Sequence, residues 1–217
     1  MRNNLLPIAK EGWSYVIGAV VAFIIFTFFD FDFLEFLAFL ATLFFVFVFR
    51  NPEREYAIYQ ENSVVSPVDG TVVSIEELHN DEHKGYKVEI DTSYLNVALL
   101  RVPFTSNLES IRISKGTRLS AHSPLSNSIN ENAELVFNDI KLSNKMRVVH
   151  KLKQSFKAID IDIIEAQNIM QGARYGLMIN GITTLYLPEN FRLNIGLGSE
   201  LSASESLIGY FINESKK

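Results

Sequence analysis

Charged positions are sparse at the start of the chain and frequent afterwards. Trp13 to Phe29 is a run of 17 residues without a charge, and Phe33 to Phe49 is a second apolar run broken only by Glu35. Each is near the lower limit for a helix crossing hydrocarbon, roughly 17–25 residues. Between them lie Asp30 and Asp32, whose carboxylates are costly to bury in lipid and so belong in a turn. The pattern predicts a helical hairpin with helices over about 13–29 and 33–49, either spanning the bilayer or dipping into one leaflet. Arg2 and Lys10 precede it and Arg50 and Arg54 follow it. Basic flanks on both sides predict that both ends face the cytoplasm, with the rest of the chain held at the cytoplasmic face of the cell inner membrane. The apolar stretch is too long for a signal peptide, it is doubled, and no small-residue cleavage site follows.

Beyond Arg50 the period shortens. Runs rich in Val and Ile, separated by Gly, Pro, Asn and Asp, predict strands at 71–75, 86–90, 95–102, 108–113, 134–137, 147–152 and 183–187. Pro67-Val68-Asp69-Gly70 reads as a turn, and Lys115-Gly116 as another between strands at 111–113 and 118–119. Residues 156–170 mix β-branched residues with helix formers and are ambiguous. The fold class is therefore mainly β, with a membrane hairpin over 1–49 and a β-rich domain over 50–217. The turn and strand pattern resembles a barrel-sandwich hybrid, as in lipoyl carriers. Lys115, however, lacks the context of a modifiable carrier lysine.

Composition sharpens this division. Twelve of the 17 Phe fall in residues 1–49. The net charge of −5 argues against a nucleic-acid partner, which needs a basic footprint. With no cysteine, disulfides, thiolate metal sites and Cys nucleophiles are excluded. No phosphate-cradling glycine loop or dinucleotide fingerprint is present.

Two stretches carry a resemblance. Phe49-Arg50-Asn51-Pro52-Glu53-Arg54 and Ser66-Pro67-Val68-Asp69-Gly70-Thr71-Val72-Val73 look like the phosphatidylserine decarboxylase family, in its short, membrane-anchored bacterial form. The likeness continues through Leu95–Pro103, Lys115-Gly116 and Ser128–Val136, and resumes at Arg174-Tyr175-Gly176-Leu177-Met178-Ile179. The resemblance implies a proenzyme that cuts itself at a Gly-Ser bond and converts the serine to a pyruvoyl group. The substrate amine then forms a Schiff base with that group, which acts as electron sink for loss of CO₂. Self-cleavage in the family is associated with an Asp, a His and the Ser.

Carried over position by position, the family Asp falls on Asp69. The family His falls on Ala98, within Ser93–Pro103, and a family Asp just before it falls on Asn96. The pyruvoyl-forming Ser falls on Ile182, after Gly181. Isoleucine has no hydroxyl for an acyl shift, so the resemblance implies a family member without the cofactor. Two escapes remain. Thr183 lies one residue late and would yield a ketobutyryl group. Ser199, in Leu197-Gly198-Ser199-Glu200, mimics a Leu-Gly-Ser motif but lies after Leu187-Pro188 rather than before. Cleavage before Ser199 would release 19 residues and cleavage before Ile182 would release 36.

The remaining candidates are loop and strand residues. His79 and His83 are spaced i and i+4 in a polar segment and have no evident third ligand. His150 sits in an apolar strand and reads as structural. Arg101, His122 and Arg174 are candidates for binding a lipid head group. Three functions follow from the sequence. One is a catalytically degenerate decarboxylase homologue that binds a phospholipid or a partner, with no cofactor. The second is an active pyruvoyl-dependent phosphatidylserine decarboxylase. The third is a membrane-tethered β-rich adaptor. Expected partners are membrane phospholipid, and a second copy of the chain or an active paralogue.

Overall fold

The computed structural model describes residues 6–54, 59, 62–80, 83–139 and 144–212. The chain divides into two compact units, Met1–Glu53 and Arg54–Lys217.

The first unit is a helical hairpin. A short 3-10 turn leads into α1 (Trp13–Phe28), which is followed by α2 (Asp32–Val48). Asp30 takes a left-handed conformation, φ 55°, in the turn between them, a region that Asp tolerates better than most residues. The helices pack through Tyr15 on Phe45 and Phe23 on Phe39, with ring centroids 5.4 and 6.3 Å apart. Their contact buries only small or medium side chains, among them Val16, Ala19 and Ala38, while Ile24, Phe28 and Phe33 are exposed. Apolar side chains exposed in such a contiguous group mark a surface that meets a membrane or another protein. Lys10–Phe28, 19 residues, is long and apolar enough to cross a membrane and is a candidate membrane anchor.

The second unit is mainly antiparallel β. Its largest sheet has eight strands in the spatial order β13 (Glu200–Leu201), β2 (Gly70–Asn80), β3 (His83–Thr92), β11 (Gly181–Pro188), β7 (Lys145–Leu152), β6 (Asn132–Asp139), β5 (Ser106–Ser114) and β9 (Asn168–Ile169). Two three-stranded sheets complete it. One is β1 (Ser63–Val65), β14 (Leu207–Phe211) and β12 (Phe191–Leu193); the other is β4 (Leu99–Arg101), β10 (Arg174–Leu177) and β8 (Asp160–Ile161). One four-residue helical turn, α3 (Ser126–Ile129), precedes β6. In β6 and β7 every second side chain is buried, the period expected of strands with one face on the core.

All three sheets contribute to one core. Val64, Ile208 and Phe211 come from the first small sheet, Leu100 and Tyr175 from the second, and Ile90, Leu135, Val148 and Leu185 from the large one. Rings knit it together: Phe211 meets Phe104 and Phe191 edge-on at 5.2 and 5.3 Å, and Phe137 lies 5.8 Å from Tyr175. Each such fully buried side chain contributes about 1.5–3 kcal/mol relative to exposure.

One expectation is corrected and two open readings are settled in detail. Residues 156–170 are neither one strand nor a helix: they are loop, with the two-residue strands β8 and β9. The strand expected at 118–119 is absent. Thr117 makes only an isolated bridge to Asn130, because Asn130 itself bonds the Leu119 backbone through its side chain. His79 lies in β2 and His83 opens β3, with His79 opposite Lys84, so the two His do not share a helix face. Residues 81–82 lie outside the described residues, as does the polar C-terminal segment 213–217.

Candidate functional site

The turn after β3 organises the site. Thr92 Oγ1 donates to the Asp69 carbonyl at 2.8 Å, and Asn96 Oδ1 accepts from Ser93 N and Oγ at 2.8 and 2.9 Å. The Asn96 side chain thus reaches back three residues to the Ser93 N–H, as the last residue of a capping box does. Just before β4, Ala98 is buried and its carbonyl accepts from Met178 N at 2.8 Å. Beyond Met178, the segment Ile179-Asn180 leads into β11, in which Gly181 pairs with Thr92 and Ile182 with Asp91. Asp69, Ala98 and Gly181-Ile182 are distant in sequence. The structure makes them neighbours through Thr92, Met178 and Val97.

Their chemistry differs from their placement. Asp69 is buried, and its carboxylate is fully engaged. Oδ2 receives Arg54 Nη2 at 2.6 Å and Val97 N at 3.3 Å, and Oδ1 receives Ala203 N at 2.8 Å. Ala98 offers only a methyl group. Ile182 lies between Asp91 and Lys151 in the sheet and lines a small cavity of about 20 Å³ with Asn127, Asn130, Lys151 and Lys153. The Ile182 side chain has no oxygen from which a pyruvoyl group could be built. Thr183 is fully buried in mid-strand, and its Oγ1 lies 2.8 Å from His150 Nδ1. His150 Nε2 lies 2.6 Å from the Tyr175 hydroxyl. Burial lowers the His150 pKa to about 3 and pushes that of Tyr175 well above the usual phenol range. Both groups are therefore neutral at pH 7, and this line of hydrogen bonds satisfies three buried polar side chains.

Ser199 sits outside this cluster, in a tight turn before β13. Its Oγ accepts from Gly196 N at 3.2 Å. Gly198 has φ 79°, a conformation that glycine adopts without strain. Gly198 N and the Val72 carbonyl close the turn onto β2.

Beside the Asn180 end of β11 opens a cleft of about 330 Å³, lined by Ser93, Tyr94, Leu95, Ser120, Ala121, His122, Lys153, Gln154 and Asn180. Four chain segments make it, and side chain and backbone bonds hold them. The Tyr94 hydroxyl donates to the Gln154 carbonyl at 2.6 Å, Gln154 N to the Arg118 carbonyl at 2.9 Å, and Lys153 N to the Asn180 carbonyl at 3.1 Å. Lys153 Nζ contacts Asp91. The cleft thus presents an ammonium paired with Asp91, an imidazole, an amide and hydroxyls to one volume.

The sequence candidates distribute unevenly. His122 lines this cleft. Arg101 is buried, and its Nη1 donates to the Gly172 carbonyl at 3.2 Å. Arg174 is half-buried opposite Arg101 in the β10–β4 pairing. Neither Arg101 nor Arg174 lines the cleft. Lys153, Asn180 and Tyr94 do, and sequence reasoning did not single them out. Each sits just outside a strand end, the one local signal that marks them. A second cavity, about 230 Å³ and lined by Glu77, His79, Lys84 and Glu189 among others, lies at the opposite end of the β2–β3 hairpin, away from all these positions. Among the described residues no three His, Asp or Glu side chains gather as a metal site requires.

Comparison with known proteins places these features in context. Residues 41–209 match the family model described as phosphatidylserine decarboxylase. The chain is 32% identical over 218 residues to a phosphatidylserine decarboxylase proenzyme of Geobacter metallireducens, covering 96% of this chain and 99% of the relative. It is 32% identical to that of Geotalea uraniireducens and 30% identical to that of Geobacter sulfurreducens, with the same two coverages.

Proposed function

Because this chain belongs to the phosphatidylserine decarboxylase family, we propose that it acts in phospholipid metabolism at the membrane surface, holding a phospholipid head group in the Tyr94–His122–Lys153–Asn180 cleft without forming a pyruvoyl group. The observation that carries this reading is Ile182. At the position where the family resemblance asks for a serine, the side chain is an aliphatic one, and the buried Ala98 stands where the resemblance asks for a histidine. The cleft supports the binding half. The Lys153 ammonium and the His122 ring suit a phosphate or carboxylate, and the Asn180 amide suits either charge of an amino-acid head group. The apolar hairpin supports the membrane location. A second copy or an active paralogue is the protein partner that such a lipid-holding role would serve.

The names of the full-length relatives support a second reading more directly than the first: an active, pyruvoyl-dependent phosphatidylserine decarboxylase, processed at a bond other than the one before Ile182. Ser199 is its candidate, although the turn geometry there already accounts for Gly198 and Ser199.

The intact mass of the purified full-length protein, with decarboxylation of phosphatidylserine vesicles assayed beside it, separates the two. A single species near 24.6 kDa that releases no CO₂ is the expected result. Two chains with activity would overturn it, and the residue at which the small fragment begins, Ile182, Thr183 or Ser199, would identify the bond.

A further inference from the structure

The mouth of the cleft carries apolar side chains that its polar floor does not use. Leu95 and Leu125 are 74% and 58% exposed, and Phe156 is exposed to a lesser degree. Tyr94 and Phe156 stack with ring centroids 6.1 Å apart. The Tyr94 hydroxyl is fixed on the Gln154 carbonyl, so the half-buried ring has one polar end held in the protein while its apolar body stacks on Phe156. Leu125 follows directly on the loop that carries Ser120, Ala121 and His122. Its neighbour Ser126 lines the small cavity that shares Ala121 and Lys153 with the cleft. Isolated exposed apolar residues are ordinary on a protein surface. Here Leu95 lines the cleft that also holds Lys153 and His122, Phe156 stacks on the cleft residue Tyr94, and Leu125 follows three residues after the cleft residue His122.

We propose that Tyr94, Leu95, Leu125 and Phe156 form an interfacial rim that enters the boundary between lipid head groups and acyl chains, so that a phospholipid offers its head group to the cleft while its chains stay in the bilayer. The proposal rests on the head-group reading above. The occupant is a lipid surface for two reasons. The chain carries the β unit directly on the apolar hairpin, with Glu53 the last residue of one unit and Arg54 the first of the other. The β unit therefore works at whatever surface the hairpin enters. The cleft, about 330 Å³, has the size of a head group and no room for two acyl chains, so the chains must remain in an apolar phase beside it. An aromatic pair with a tethered hydroxyl suits that boundary, where one end is apolar and the other wet.

The chain has no native cysteine, so single probes can be placed at will. Leu95→Cys and Leu125→Cys, with Met170→Cys as an equally exposed control away from the cleft, are labelled with bimane in the full-length protein. Each is reconstituted in vesicles of phosphatidylethanolamine, phosphatidylglycerol and phosphatidylserine, with and without brominated acyl chains. Quenching at positions 95 and 125 about threefold or more above that at 170 is expected for a rim lying ~5–10 Å into the interface. Equal quenching at all three positions would overturn the proposal. So would a signal that tracks protein density rather than brominated lipid, which would assign the rim to a second copy. Calorimetric titration of the unlabelled chain with glycerophosphoserine, a head group without chains, is run alongside. Binding without quenching fails the rim alone, whereas quenching without binding fails the head-group reading and leaves the rim.

Discussion

Arg54 Nη2 lies 2.6 Å from Asp69 Oδ2, and both side chains are about nine-tenths buried. The same guanidinium donates to the Ala203 carbonyl at 2.9 Å, while Asp69 accepts from Ala203 N. The carboxylate that the family resemblance connects with self-cleavage is here a structural joint, fixing the first residue of the β unit to the turn before β2 and to the loop before β14. Removing one member leaves a buried charge without its partner, which costs about 3–5 kcal/mol. Asp69→Ala is therefore expected to lower the urea midpoint of the β unit sharply. Asp69→Ala combined with Arg54→Ala should cost clearly less than the sum of the two single changes. If Asp69→Ala left stability unchanged, the joint would not exist.

His150 gives the β unit a specific acid sensitivity. Its ring is fully buried, and its pKa falls from the ordinary 6.5 to about 3. Between these values the unfolded chain binds a proton that the folded chain refuses. Stability from this group is complete above pH 6.5 and is lost as the pH falls through the window, at up to about 1.4 kcal/mol per pH unit. His150→Gln removes the titration. The difference in unfolding free energy between the wild type and His150→Gln, followed from pH 7.5 to about 4.5, should shrink toward low pH. A constant difference would mean that the folded ring does protonate.

Head-group binding should depend on the side chains that line the cleft. Lys153→Gln is expected to weaken binding of glycerophosphoserine about tenfold, ~1.4 kcal/mol, and to flatten its dependence on salt. His122→Ala removes a second polar side chain from the cleft and should weaken binding as well, by a smaller factor. Arg101→Lys serves as the contrast, since Arg101 is spent on the Gly172 carbonyl and should act on stability instead. Loss of binding through Arg101 but not Lys153, read by calorimetry, would move the site.

Gly181 is required by close approach rather than by its backbone angle. A Cβ there would overlap the Lys151 carbonyl oxygen on one side and the Met178 sulfur on the other. Overpacking of this kind costs about 1–3 kcal/mol. Gly181→Ala should accordingly lower the thermal midpoint, whereas Gly196→Ala, where nothing lies within reach of the added methyl, should leave it nearly unchanged.

Much of the fold was legible in the sequence because its signals are local. The hairpin appears as two uncharged runs, and α1 and α2 end within a residue of the expected bounds. The long strands β2, β3, β6, β7 and β11 appear as β-branched runs between turn residues. The two-residue strands β8, β9 and β13 do not, since a pair of residues carries no period and is a strand only because a neighbour lends it hydrogen bonds. His150 was readable as structural from its apolar strand. Its partners were not, because Tyr175 and Thr183 reach it from strands 25 and 33 residues away.

The sequence by itself determined the class of fold, the apolar hairpin, the family, and the side chains at positions 98 and 182, because these depend on composition, period and residue identity alone. Only the tertiary structure decided that Arg54 neutralises Asp69, that Lys153, Asn180 and Tyr94 rather than Arg101 and Arg174 line a cleft with His122, and that this cleft opens beside Leu95 and the Tyr94–Phe156 stack. Such facts depend on which strand ends are brought together. That is set by the sum of many weak pairings across three sheets and one core, with no single segment carrying it.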